Sequence, residues 1–199
     1  MSTSSRSRLS RFLSAGAGVL ALCGLVAATA AAHLAPPTSP GDPLDPRTYD
    51  PASKPFLAVH AAGVQKYTCQ ANGAWLFTDP EATLYKSERL FFTKRPKPIG
   101  THFLNFATGR PVWQLKDGSS VEAARTASAP AGAGNIPSLL LQAVTNTAGS
   151  KGHRLTKTTW VQRLNTAGGV APDGACAPGA KRAVPYSADY FFWKAKARS

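Results

Sequence analysis

R-L-T-K-T-T-W-V-Q-R-L-N-T-A-G-G-V-A-P-D-G-A-C, residues 154–176, reads as a strand, a Gly-Gly turn, a proline and a cysteine. Side chains along a strand point alternately to its two faces. Thr156, Thr158, Trp160, Gln162 and Leu164 therefore share one face, and Leu155, Lys157, Thr159, Val161 and Arg163 share the other. Lys157 and Arg163 mark the second face as the wet one, which assigns Trp160 and Gln162 to the interior. Gly168, Gly169 and Pro172 then interrupt the strand and carry Cys176 away from it.

The same texture of short apolar segments cut by turn residues extends in both directions. Residues 56–60 form one run. In residues 63–70, alternation puts Gln65, Tyr67 and Cys69 on one face. Asn72-Gly73 is a turn signal leading into Trp75, Leu76 and Phe77, so a hairpin is expected there. Residues 80–85, 99–106 and 111–115 are further strand candidates, and Asp117-Gly118 is a turn. Residues 123–135, rich in Ala and Gly, read as a loop; residues 136–144 are apolar all round and fit a buried strand or a short helix. Residues 184–193 carry aromatics on both faces, as expected of a central strand or one covered by another segment. The expected fold is all-β, a mainly antiparallel β-barrel or β-sandwich with long loops and few or no helices.

The first 32 residues have a different character. Arg6, Arg8 and Arg11 precede an apolar run, and small residues end it at Ala28-Thr29-Ala30 and Ala30-Ala31-Ala32. This is the pattern of a secretory signal peptide, with an uncleaved anchor helix as the alternative. Cys23 within the run loosely resembles a lipoprotein cleavage box, although Leu22 is bulky for the position before the cut. Residues 33–54 hold Pro36, Pro37, Pro40, Pro43, Pro46 and Pro51, which exclude a helix or central strand and indicate a linker or an extended arm. Residues 55–199 form a single β domain.

With the leader removed, Cys69 and Cys176 remain, and two thiols in a small exported domain are expected to pair. Two separately buried thiols are the alternative. A bridge closing a loop on the order of 100 residues stabilises by about 4–5 kcal/mol in the chain-entropy description. The chain has 199 residues and a formal net charge of +13. Losing the three leader arginines leaves it strongly basic, a charge that would attract polyanions; the partner stays open, with an anionic envelope polymer or a saccharide as candidates and a solubilising surface as the simpler reading. Lys86, Arg89, Lys94, Arg95 and Lys97, with Lys194, Lys196 and Arg198 near the C-terminus, are the polyanion candidates.

Ordered motifs suggest a family. They comprise G-V-Q-x-Y-x-C at residues 63–69, G-T-H at 100–102, P-V-W and D-G-S-x-V within 111–121, and I-P-x-L-L-L at 136–141. Q-R-x-N-T-x-G-G-x-A-P with a following cysteine, and P-Y-S-A-D-Y at 185–190, complete the set. Together they resemble the secreted bacterial and fungal family called domain of unknown function three-four-five-five. The resemblance implies an exported, mainly β domain and supplies no catalytic residues. Ser138 stands where that pattern usually has tryptophan.

The histidines His33, His60, His102 and His153 are scattered without metal-ligand spacing, and no phosphate-binding glycine loop is present, so no metal or other cofactor is expected. A hydrolase would draw on His102, Asp117 and Ser119, but no G-x-S-x-G elbow surrounds the serine. A carboxylate pair for glycoside hydrolysis would be Asp79 with Glu81, or Asp117 with Glu122. A binding site is the leading expectation: Gln65, Tyr67 and Gln162 offer inward polar groups, and Trp113 and Trp160 offer flat surfaces. Buried amides need partners, so these groups either cross-link the interior or line a cavity. The leading reading is an exported binding or envelope-accessory domain; the alternatives are a small hydrolase of envelope or extracellular polymer and a polyanion-binding protein. Sequence-specific nucleic-acid binding is not expected, nor membrane contact beyond the leader.

Overall fold

The computed structural model describes residues 38–86 and 97–195. Eight antiparallel strands form a closed barrel in chain order: β1 (Ser53–Cys69), β2 (Trp75–Lys86), β3 (Pro98–Asn105), β4 (Arg110–Leu115), β5 (Ser120–Ala129), β6 (Ser138–Thr147), β7 (Trp160–Gly168) and β8 (Lys181–Ala195). β8 pairs along β1 and closes the wall, so among the described residues no strand is left as an open sheet edge. The leader and the Arg89, Lys94, Arg95, Lys196 and Arg198 positions lie outside the described residues.

β1 is long enough to pair with β2 on one side and β8 on the other, and it bends at an irregularity between Lys66 and Tyr67. Gly63 lets the walls approach: a Cβ there would lie 2.0 Å from the Glu81 carbonyl oxygen. The Asn72-Gly73 turn joins β1 to β2, with the Asn72 carboxamide accepting from Ala74 N–H at 3.0 Å. Asp117 fixes the β4–β5 turn by accepting from the Ser119 N–H (2.9 Å) and hydroxyl (2.6 Å), and it also accepts from Arg154 N–H in the β6–β7 connection.

Two apolar clusters sit on opposite sides of the wall. The inner one includes Val59, Leu84, Trp113, Val121, Val161, Tyr190 and Phe192, with Leu155 of the β6–β7 connection at the same end. The outer one joins Leu44 of the proline-rich arm to Ala58, Leu140, Trp160, Leu164, Phe191 and Trp193. The arm is thus a strap across β6, β7, β8 and β1, and it explains why β8 is aromatic on both faces. Tyr49 packs on Trp160 with ring centroids 5.3 Å apart, and Arg47 lies over Trp193 at 5.5 Å. Asp45 is fully buried; burial pushes its carboxyl up, but hydrogen bonds from Arg47 and Thr38 outweigh that and hold it below its ordinary value.

The register corrects the sequence reading of β7. Arg163 pairs with Leu139 on one side and Tyr190 on the other, both on the barrel's inner side. Arg163 therefore faces the interior, while Trp160 and Gln162 are buried on the outer face beneath the strap. The strand itself starts at Trp160; residues 154–157 form turns. Two further expectations resolve: residues 123–129 continue β5 instead of forming a loop, and the apolar run at 136–144 is strand from Ser138 onward.

Candidate ligand-binding site

An antiparallel meander brings the β1–β2, β3–β4, β5–β6 and β7–β8 connections to one end of the barrel. An eight-stranded barrel has an interior that side chains just fill, or that holds one small ligand. This one does both. The end opposite those connections is packed by the inner cluster, whereas the end bearing them opens into a cavity of about 620 Å³.

Each wall contributes mainly through its inward positions, with Arg110 reaching the rim from the outward face of β4. Gln65 and Tyr67 come from β1, Phe77 and Pro80 from β2, Leu104 from β3, Arg110 and Pro111 from β4, and Ala123 and Arg125 from β5. Ile136 and Pro137 before β6, Leu139 and Leu141 within it, and Arg163 of β7 complete the lining. The Cys69–Cys176 disulfide ties the β1–β2 turn to the β7–β8 connection at this end, with Cα atoms 5.8 Å apart. Gly169 brings that connection over the cavity wall, where the Tyr67 hydroxyl donates to its carbonyl at 2.6 Å.

His102 lines the floor. Its Nδ1 lies 2.9 Å from the Val112 carbonyl oxygen, which can only accept, so Nδ1 carries the proton and Nε2 is the acceptor of the neutral ring. Burial lowers its pKa to about 3, the bond to Val112 opposes this, and the Arg163 cation adds to it. The ring stacks on Trp113 at 4.5 Å between centroids. Beside this floor are buried polar groups whose contacts are poorly directed. Gln65 Nε2, Trp113 Nε1 and the Tyr186 and Tyr190 hydroxyls are buried and form no well-directed hydrogen bond, although weaker hydrogen-bonding contacts link Gln65 to Tyr186, Tyr186 to Tyr190 and Tyr190 to Arg163. Burial pushes both tyrosine hydroxyls up, so they remain protonated.

Arg163 is held on the wall by donating through Nε and Nη2 to the Pro137 carbonyl, at 3.0 and 2.8 Å. Arg110 is 3.5 Å from Glu122. No described carboxylate lines the cavity or pairs with Arg163.

The sequence-derived candidates separate into distinct places. Gln65 and Tyr67 come together in the cavity, and Trp113 is packed beneath it. Gln162 instead anchors the strap, donating to the Leu44 carbonyl (2.6 Å) and the Thr38 hydroxyl (2.9 Å) and accepting from Trp193 Nε1 (3.3 Å). Trp160 lies beside it. The Ser119 hydroxyl is engaged by Asp117 and Leu155 N–H, while His102 is bonded to Val112, so the three do not form a hydrogen-bonded relay. Asp79 and Glu81 both pair with Lys66, and Glu122 accepts from Asn105 at 2.8 Å. The cavity residues that sequence reading missed are Phe77, Arg110, Arg125, Leu139, Leu141 and above all Arg163. The signal for Arg163 was its register opposite Tyr190, which alternation within one strand does not reveal.

Among the described residues, no helix is long and apolar enough to cross a membrane. No curated protein and no solved structure matches the chain. The family described as "Protein of unknown function (DUF3455)" matches residues 51–194, from the turn before β1 almost to the end of β8. With the barrel wall thus covered, the chain belongs to the DUF3455 family.

Proposed function

We propose that this protein is an exported binding domain that takes one small molecule into the open end of its barrel. The observation that carries the reading is the division of the interior: one end is close-packed, and the other holds a cavity of about 620 Å³ with apolar walls and a few convergent polar groups. That size and lining suit a small-molecule pocket, where apolar surface supplies affinity and sparse polar groups supply orientation. Export is supported by the sequence of the leader and by the disulfide, which favours an oxidising compartment.

The test is a fragment library screened against the isotope-labelled, disulfide-bonded mature protein by amide chemical shifts. Binders are expected to perturb Gln65, Tyr67, Phe77 and Leu141 together. Hits scattered over the outer wall, or none at the mouth, would overturn the binding role. Export is checked separately by fractionation and N-terminal sequencing: cleavage is expected near Ala30 to Ala32, and an intact chain retained in the cytosol refutes it.

A further inference from the structure

We propose that the occupant of this mouth is a small amphipathic anion, an apolar or aromatic body bearing one carboxylate- or sulfonate-like head, with the head against Arg163 and the body against the apolar wall. The proposal rests on the small-molecule reading above and names the class of ligand.

Charge supplies the first strand of evidence. Arg110, Arg125 and Arg163 line the cavity and no described carboxylate does. Arg110 has Glu122 within 3.5 Å, but Arg163, on the inner wall, is held by a neutral carbonyl. A guanidinium fixed in this way keeps its charge for a guest, and its planar donor edge matches a carboxylate.

Hydrogen-bond accounting is the second and is independent of charge. Among the described residues, Gln65 Nε2, Trp113 Nε1, Tyr186 Oη and Tyr190 Oη are buried without a well-directed hydrogen bond. All four can donate, the two nitrogens can only donate, and the hydroxyls, which can also accept, stand in a chain of weaker polar contacts from Gln65 through Tyr186 and Tyr190 to Arg163. Leaving a buried donor unmatched is unfavourable, and an anionic oxygen is the strongest acceptor for it. Gln65 is on the cavity wall, and Tyr190 stands opposite Arg163 across the β7–β8 pair. An acceptor placed at Arg163 therefore lies at the end of that chain, where the guanidinium can only donate and the Tyr190 hydroxyl can turn to donate as well.

The remaining lining limits the choice of anion. Phe77, Leu104, Ile136, Leu139 and Leu141 form a wall that an inorganic ion would leave wet. A neutral hydrocarbon would cover that wall and leave the donors unanswered. Only a molecule with both parts uses both parts of the site.

A matched probe pair tests this on the mature, disulfide-bonded protein. 1-Anilinonaphthalene-8-sulfonate and N-phenyl-1-naphthylamine share an aromatic body and differ in the anionic head. The sulfonate is expected to bind on the order of tenfold more tightly, consistent with one charge-assisted hydrogen bond. Dodecanoate should displace it and dodecanol should not. Arg163→Met should abolish the preference and Arg163→Lys should retain part of it, with amide shifts at Gln65 and Tyr67 confirming the location. If Arg163→Met does not fold, the wild-type probe pair and Arg163→Lys decide the matter. Equal binding of the two probes in the mouth overturns the anionic class and leaves the pocket standing, whereas a preference that survives Arg163→Met overturns the role of Arg163. If neither probe nor dodecanoate reaches the mouth, the anion proposal fails, and a fragment screen that is also silent there removes the pocket reading with it.

Discussion

Arg163 on β7 and Tyr190 on β8 face each other directly across the ladder, on the inside of the barrel. The pair sets a cation and a fully buried hydroxyl side by side without a well-directed hydrogen bond for that hydroxyl. A buried hydroxyl in this condition costs desolvation and returns little. Tyr190→Phe, which keeps the ring packing on Trp113 and His102, is therefore expected to leave stability unchanged or raise it by about 1 kcal/mol in urea unfolding. A loss of that size would show that the hydroxyl is well bonded in solution.

Gln162 presents the opposite case, because its amide is satisfied on both sides. It joins the strap at Leu44 and Thr38 to Trp193 of β8. Gln162→Leu strands the Leu44 carbonyl and the Trp193 N–H in a dry layer, and each unmatched group costs about 1–3 kcal/mol. A loss of about 2–4 kcal/mol is expected, together with faster proteolysis of the strap. Unfolding at the wild-type midpoint would show that the strap does not depend on this amide.

These two residues also show where the sequence was legible. Turn chemistry placed Asn72-Gly73 and Asp117-Gly118 correctly, because those dipeptides act locally, whereas Gly168 ends β7 and Gly169 continues it as a bridge to Asn135 instead of turning. Counting cysteines gave the disulfide, and the mixture of short strands gave the fold class. What failed was the phase of β7. Hydropathy identifies an inner face when the other face is wet, but here the outer face is covered by the strap and the inner face opens onto a polar mouth. The cation consequently lies inside the barrel and the neutral amide outside it. Covering by residues 38–50 is a long-range event, and alternation within nine residues of β7 carries no trace of it.

His102 makes stability depend on pH in a definite direction. Its folded pKa is lowered to about 3, first by burial, whereas the unfolded side chain titrates near 6.5. Between those values the unfolded chain binds a proton that the folded chain does not. Its contribution is thus fully present above pH 6.5 and is lost as pH falls, by at most about 1.4 kcal/mol per pH unit. His102→Gln preserves a donor for the Val112 carbonyl and removes the titration. Melting temperatures compared at pH 6.5 and 5, above the ordinary carboxylate range, should fall for the wild type and stay nearly level for the variant. Parallel slopes would place the pH sensitivity elsewhere.

Gly169 tests how tightly the β7–β8 connection fits the mouth. Its φ is +86°, and a Cβ would lie 2.8 Å from Tyr186 Cβ and 3.0 Å from both Gln65 Cγ and Ile136 Cγ2. The left-handed backbone alone disfavours alanine by about 1–2 kcal/mol, and none of these three atoms is the far end of a flexible chain. Gly169→Ala is expected to lose more than about 2 kcal/mol and to shift the amides of Gln65 and Ile136. Gly174, also at positive φ but with nothing within 4 Å of an added Cβ, is the control: alanine there should show only the backbone cost.

The disulfide gives the last test, because its two parts are separable. Intact mass before and after reduction should show no free thiol at Cys69 or Cys176 in the mature protein. The double variant Cys69→Ala, Cys176→Ala should lose about 4–5 kcal/mol if the bridge acts by restricting the unfolded chain. That mechanism alone predicts native hydrogen exchange unchanged in pattern once global stability is allowed for. The bridge, however, joins the β1–β2 turn to the β7–β8 connection at the open end, while the far end is held by Trp113, Val121, Phe192 and Leu155. Local exchange should therefore quicken at Tyr67 and Gly169 and remain slow at Val121 and Phe192. Uniform acceleration across all four would assign the whole effect to the unfolded state and deny the bridge a role in shaping the mouth.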